Sequence, residues 1–181
     1  MPTAAYRAYQ FLAALRAYLP HWAGGLPAGL SPADKKLVDA ILLTAAQRSL
    51  FEQMPPNDRR HALAVARTLQ QAGHTDSALL QAALLHDVGK SLGQPILHRV
   101  LIVLLAAFWP GLLQNLSRPD HTQRWLRPFA VHAQHPQLGA DWAKDAGCDD
   151  LAISLIARHE EKIDVSDDNL LMALQWADDL N

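Results

Sequence analysis

In the stretch Ala82-Ala-Leu-Leu-His86-Asp87-Val-Gly-Lys90 an imidazole and a carboxylate stand side by side at the end of an apolar run. Taken alone, such a pair reads as readily as a helix end with a solvated carboxylate. Its weight comes from recurrence: His61, His135, His159 and Asp178 also stand near the ends of segments with helical apolar spacing. Imidazole and carboxylate donors suit divalent first-row cations, and a set without cysteine leaves manganese, iron, zinc, nickel and cobalt open. A carboxylate has two oxygens and can serve two ions, which gives an aspartate beside a histidine a chemical use. Ions held in this way can activate a water, so no serine or cysteine nucleophile is needed. That agrees with the lack of a G-x-S-x-G elbow and of a glycine-rich P-loop in the chain.

These residues need helices to bring them together. The spacing of Leu79, Leu80, Ala83, Leu84 and Val88 predicts a helix over 75–88, with Thr75 as N-cap, Asp76 in the first turn and Gly89 as C-cap. His86 and Asp87 then occupy its last turn. Pro55-Pro56-Asn57 starts the helix of His61, whose Leu63, Val65, Ala66 and Leu69 face inward until Gly73 stops it. A short helix over 121–131 is expected to be interrupted at Pro128. A second follows His132-Ala-Gln-His135-Pro136 to about Ala146, with Gly147 at its end. Asp149-Asp150 caps the helix that delivers His159, and Ser166 begins the last helix, which carries Asp178.

Upstream, residues 3–18 have amphipathic spacing ended by Pro20, and 21–29 read as a loop. Ser31-Pro32 opens a second helix, and the capping-box pattern Thr44-Ala-Ala-Gln47 opens a third. No strand pattern or repeat is present, so the expected fold class is all-α. Residues 1–54 are read as a helical extension packed on a domain at 55–181.

The ordered series of these motifs resembles the HD-domain superfamily of metal-dependent phosphohydrolases, named for its H…HD…D pattern, over about Pro55 to Asn181. Asp58-Arg-Arg-His61 is similar to the first-histidine helix, and Leu84-Leu-His86-Asp87-Val-Gly-Lys90 to the central motif with its following Gly-Lys. His135-Pro-Gln-Leu-Gly139 is similar to the H…G segment of members with two metals, Ile156-Ala-Arg-His159-Glu160 to their next histidine, and Ala177-Asp178-Asp179 to the closing aspartate. The resemblance implies an HD-like helical bundle in which His61, His86, Asp87 and Asp178 hold one divalent ion. Asp87 then bridges to a second ion completed by His135 and His159. It further implies that Lys90 meets a substrate phosphate. Arg158 and Glu160, which flank His159, either contact substrate or pair at the surface. His132 is the rival ligand to His135. The chain departs from the branch that hydrolyses cyclic dinucleotides: Arg158 replaces the first of its paired histidines, Asn57 stands where an acid is common, and no Gly-Tyr-Pro follows Glu160.

The expected function is therefore hydrolysis of a nucleotide or another small phosphorylated molecule by a metal-activated water, with Asp87 and Lys90 at the reaction centre. The alternatives are an HD-fold mixed-valent di-iron oxygenase or a non-catalytic metal- or nucleotide-binding regulatory module. A formal charge of −2 and a pI near 6.5 give no basic excess for a nucleic-acid partner. Cys148 is the only cysteine, which excludes an internal disulfide and fits a cytoplasmic protein. The apolar stretch 96–113 is too short to span a bilayer and is broken at Pro110-Gly111. Its favoured reading is a helix buried in the domain or at a homodimer contact, and the other is a helix resting on a membrane surface, with Trp109 near the headgroups.

Overall fold

The computed structural model describes residues 29–92, 96–118, 123–161 and 169–181. The helix expected over 3–18, its end at Pro20, most of the 21–29 loop and the start at Ser166 lie outside them. The described residues form α1 (Pro32–Ile41), α2 (Ala45–Glu52), α3 (Pro56–Gln71), α4 (Ser77–Leu85), a 3-10 segment (Val88–Leu92), α5 (Ile96–Phe108), α6 (Pro110–Leu116), α7 (Arg127–Asp145), α8 (Asp150–Arg158) and α9 (Asn169–Leu180). No described residue is in a strand, and the fold is all-α.

Helix α4 is the axis of the bundle. Every residue from Ala78 to Leu85 is buried, because α3, α8 and α9 pack around it and α1 and α2 close the remaining side. A helix enclosed in this way needs no polar face, which accounts for its nearly continuous apolar sequence. Val38, Ile41, Leu42, Leu50, Phe51 and Met54 of the first two helices and their loops share one core with Leu63, Leu84, Leu155 and Leu174.

The capping box predicted at Thr44 forms, and Ser31, expected as an N-cap, forms a second one with Asp34. The Ser31 hydroxyl accepts from the Asp34 amide at 3.1 Å while the Asp34 carboxylate accepts from the Ser31 amide at 2.9 Å. Thr44 and Gln47 repeat the exchange at 3.1 and 3.2 Å. Gln47 also donates through Nε2 to the Gly147 carbonyl at 2.9 Å, so the start of α2 satisfies the end of α7.

Four expectations are corrected. The N-cap of α4 is Asp76 rather than Thr75, since it is the Asp76 carboxylate that reaches the Leu79 amide, at 2.9 Å. Gly89 is not a left-handed C-cap: the described glycines with positive φ are Gly73 (90°) and Gly147 (71°), at the ends of α3 and α7. Helix α4 instead stops at Leu85 and passes through His86 and Asp87 into the 3-10 segment. Gly89 is required there for a different reason, because a Cβ would lie 2.1 Å from the His135 carbonyl oxygen. Third, one helix, α7, runs from Arg127 through both prolines. Pro128 sits in its first turn, where a missing amide costs nothing, and Pro136 lies in its interior. Finally, α5 is not buried within the domain. Among the described residues one edge, with Ile102 and Leu105, packs into a small second cluster with Leu126 and Phe129, while Leu97, Leu101, Leu104 and Phe108 are exposed.

Candidate metal centre

The six predicted ligands reach one cluster from five places in the fold. His61 comes from the second turn of α3, His86 and Asp87 from the junction after α4, His135 from mid-α7, His159 from the end of α8 and Asp178 from the last turn of α9. His61 Nε2 lies 2.8 Å from Asp178 Oδ1, and His86 Nε2 lies 3.4 Å from the same oxygen. Asp87 Oδ1 stands 3.7 Å from His86 Nε2, 3.5 Å from His135 Nε2 and 3.7 Å from His159 Nε2. Two donor groups therefore share Asp87: His61 and His86 on one side, His135 and His159 on the other. The sequence pattern brought together, over more than one hundred residues, is a single constellation.

Three of the imidazoles are held by the same device. Nδ1 of His86 donates to the Ala83 carbonyl at 3.0 Å, Nδ1 of His159 to the Ile156 carbonyl at 2.8 Å, and Nδ1 of His135 to the His132 carbonyl at 2.6 Å. In each case the acceptor is three residues earlier. Ala83 and Ile156 lie in last helical turns, whose carbonyls lack a helical partner. His132 lies inside α7, and its carbonyl would normally accept from residue 136. That residue is proline and has no amide hydrogen, so Pro136 supplies in mid-helix the free carbonyl that the other two histidines find at helix ends.

A proton fixed on Nδ1 leaves a lone pair on Nε2, the form in which imidazole binds a metal. His135 Nε2 and His159 Nε2 face each other at 3.2 Å. Two lone pairs at that distance repel unless a cation lies between them. Burial and the Lys90 ammonium both push the His135 pKa down, which disfavours a proton in that place. His86 Nε2 is buried with no hydrogen-bond partner. A buried ring nitrogen without a partner is costly in a folded protein, and a divalent ion would take up its lone pair. The residues present therefore fit a metal centre.

Charge inside the cluster is balanced by its own members. Lys90 Nζ lies 2.6 Å from Asp87 Oδ1 rather than in solvent. Burial opposes charge on Asp87, but Lys90 and His86 outweigh it and hold the carboxyl well below its ordinary range. Burial likewise opposes charge on His86, yet Asp87 and Asp178 lift its pKa to about 9. Asp178 is held well below its usual value, against burial, by His86 and His61.

The remaining candidates sit at the rim. Glu160 Oε1 is 3.6 Å from His135 Nε2 and its side chain is about half exposed. Arg158 Nε donates to Glu161 at 3.0 Å, one of the two roles expected of it. His132 stacks on His135 with ring centroids 5.9 Å apart and forms a further donor group with His135 and Glu160. His98 is engaged elsewhere, with Nε2 3.1 Å from the Trp125 carbonyl oxygen.

Three supporting residues have packing or hydrogen-bonding roles that the sequence did not show. Gly89 and Gly139 let the 3-10 segment, α7 and α8 approach closely: a Cβ on Gly139 would meet Ile156 Cγ2 and Val88 Cγ1 at 3.3 Å. The motif marked both glycines, but not their packing purpose. Gln175 of α9 donates through Nε2 to the carbonyls of His159 at 2.9 Å and Glu161 at 2.8 Å, tying the end of α8 in place. Nothing local distinguishes that glutamine from a surface residue.

An all-α fold whose helices gather four histidines and two aspartates is of the class in which a helical bundle can hold divalent cations. The HD-domain family model matches residues 59–181, and the chain belongs to that family, a superfamily of metal-dependent phosphohydrolases. No curated protein and no solved structure matches the chain.

Proposed function

We propose that the protein hydrolyses a phosphoester bond in a nucleotide or another small phosphorylated molecule, with His61, His86, Asp87 and Asp178 holding one divalent ion and Asp87, His135 and His159 a second. The observation that carries this reading is the shared Asp87 oxygen, which stands within 3.7 Å of three imidazole Nε2 atoms from two sides. When bound, divalent ions supply Lewis acidity toward water and toward a phosphoryl oxygen. The chain contributes the rest. The locked Nδ1 protons orient the imidazoles, and the buried walls around His86, His135 and His159 limit water. Lys90 offers a positive charge to a substrate phosphate from the same side as Asp87. Glu160, at the solvent-facing rim, lies where a substrate enters.

Metal analysis of anaerobically purified protein, followed by phosphate release from a panel of phosphoesters, tests the reading. Asp87→Ala is expected to lower metal affinity at least about 100-fold, more than the loss of a supporting hydrogen bond would, and to abolish phosphate release. Full turnover by metal-depleted Asp87→Ala would defeat it. Oxygen uptake without phosphate release would move the protein to the oxygenase reading.

A further inference from the structure

Helix α5 presents an apolar stripe to solvent. Leu97, Leu101, Leu104 and Phe108 fall at helical spacing on one face, and Leu97 and Phe108 are 73% and 66% exposed. The stripe continues through Trp109, 62% exposed, at the corner between α5 and α6, and through Leu112 on α6. Single exposed apolar residues are ordinary in a soluble protein, but a contiguous face of this kind marks an interaction surface.

The charges beside it say what kind. From Ile96 to Arg127 the chain has four arginines, Arg99, Arg118, Arg124 and Arg127, against one acid, Asp120, although acids outnumber bases 18 to 16 in the whole chain. Arg118, Arg124 and Arg127 are exposed where α6 ends and α7 begins, together with Trp125 at 57% exposure. Apolar side chains on a helix face, exposed tryptophans at its margin and arginines without matching acids together complement an anionic lipid surface. A protein partner would not require this one-sided charge. Helix α5 has 13 residues, about 20 Å at 1.5 Å each, so it lies along an interface and does not cross one. No helix among the described residues is long and apolar enough to span a bilayer.

We propose that the α5–α6 face, from Leu97 to Leu112 with Arg118, Arg124 and Arg127 beside it, docks the protein peripherally on anionic lipid. The small cluster of Ile102, Leu105, Leu126 and Phe129 anchors this face to α7, the helix that carries His135. The proposal does not depend on the phosphohydrolase reading, since it is tested by binding alone.

The test is flotation of the full chain with phosphatidylglycerol-containing vesicles and with phosphatidylcholine vesicles, at low and at high salt. Binding is expected to the first, to fall with salt as exposed charges are screened, and to shift tryptophan emission to the blue. A Trp109→Phe/Trp125→Phe double variant should lose that shift. Arg124→Gln and Arg127→Gln should each weaken binding about five-fold. Leu104→Gln and Phe108→Gln, at exposed positions, should each weaken it roughly ten-fold or more, with unchanged circular dichroism and metal content. No flotation with anionic vesicles overturns the proposal. So does a dimer in lipid-free solution that Phe108→Gln dissociates, which would assign the face to a second copy.

Discussion

Replacing Pro136 with alanine should make the protein more stable and a poorer metal binder at once. An interior proline costs a helix about 3 kcal/mol relative to alanine, largely through its missing amide and its clash with the carbonyl four residues back. Part of that cost is already offset here, because the freed His132 carbonyl accepts from His135 Nδ1 at 2.6 Å. A further ~0.4–1 kcal/mol is returned when the unfolded chain regains the freedom that proline removed. The net gain should be about 1–2 kcal/mol, or roughly 2–8 °C in Tm for a chain of this size. The restored amide at position 136 would draw the His132 carbonyl into the helical ladder, where it competes with the imidazole. Losing or lengthening a contact that fixes a ligand's tautomer weakens metal affinity about 10- to 100-fold. Thermal melts in EDTA read the first effect, competitive metal titration the second, and the 15N shifts of the His135 ring report the Nδ1 proton directly. A less stable Pro136→Ala protein, or one with unchanged metal affinity, would refute the idea that the proline serves the histidine.

The other predictions are shorter. Gly89→Ala should cost about 3 kcal/mol and Gly139→Ala about 1, the two ends of the usual overpacking range. The first Cβ meets His135 backbone at 2.1 Å, whereas the second meets side-chain atoms at 3.3 Å that can give way; equal losses on urea denaturation would count against this account. In metal-depleted protein, His86 has a folded pKa of about 9 against 6.5 unfolded. Its contribution to stability is thus complete below pH 6.5 and is lost as pH rises through 9. Tm in EDTA should fall between pH 7 and 9.5, and His86→Gln should remove that slope. His132 and His135 do not confuse the window, since burial shifts both downward.

Much of the fold was legible because its signals are local. Ser31 caps its helix as expected, and Thr44 and Gln47 exchange hydrogen bonds across three residues, a reach that sequence displays directly. Gly73 and Gly147 end their helices with positive φ, as their positions predicted. The N-cap of α4 was displaced by one residue, since Thr75, Asp76 and Ser77 are all good caps and only the backbone path selects among them. Helix α7 was misjudged because propensity penalises an interior proline, while its packing on α8 and the 3-10 segment holds the helix through it. For α5 the apolar composition suggested burial in the domain or against a second copy; burial in the domain needs a neighbour, and among the described residues one edge of α5 has one.

By itself the order of residues singled out the candidate ligands, four histidines and two aspartates that recur along segments with helical apolar spacing. It also specified helices, since the apolar spacing and the caps admit little else. Only the packed structure decided that Asp87 stands between two donor groups, that His135 and His159 point their lone pairs at each other, and that Gly89 exists to let His135 approach. Those facts depend on where helices far apart in the chain cross. Crossings are set by the volume of buried side chains summed over the whole core, which no single stretch of sequence encodes.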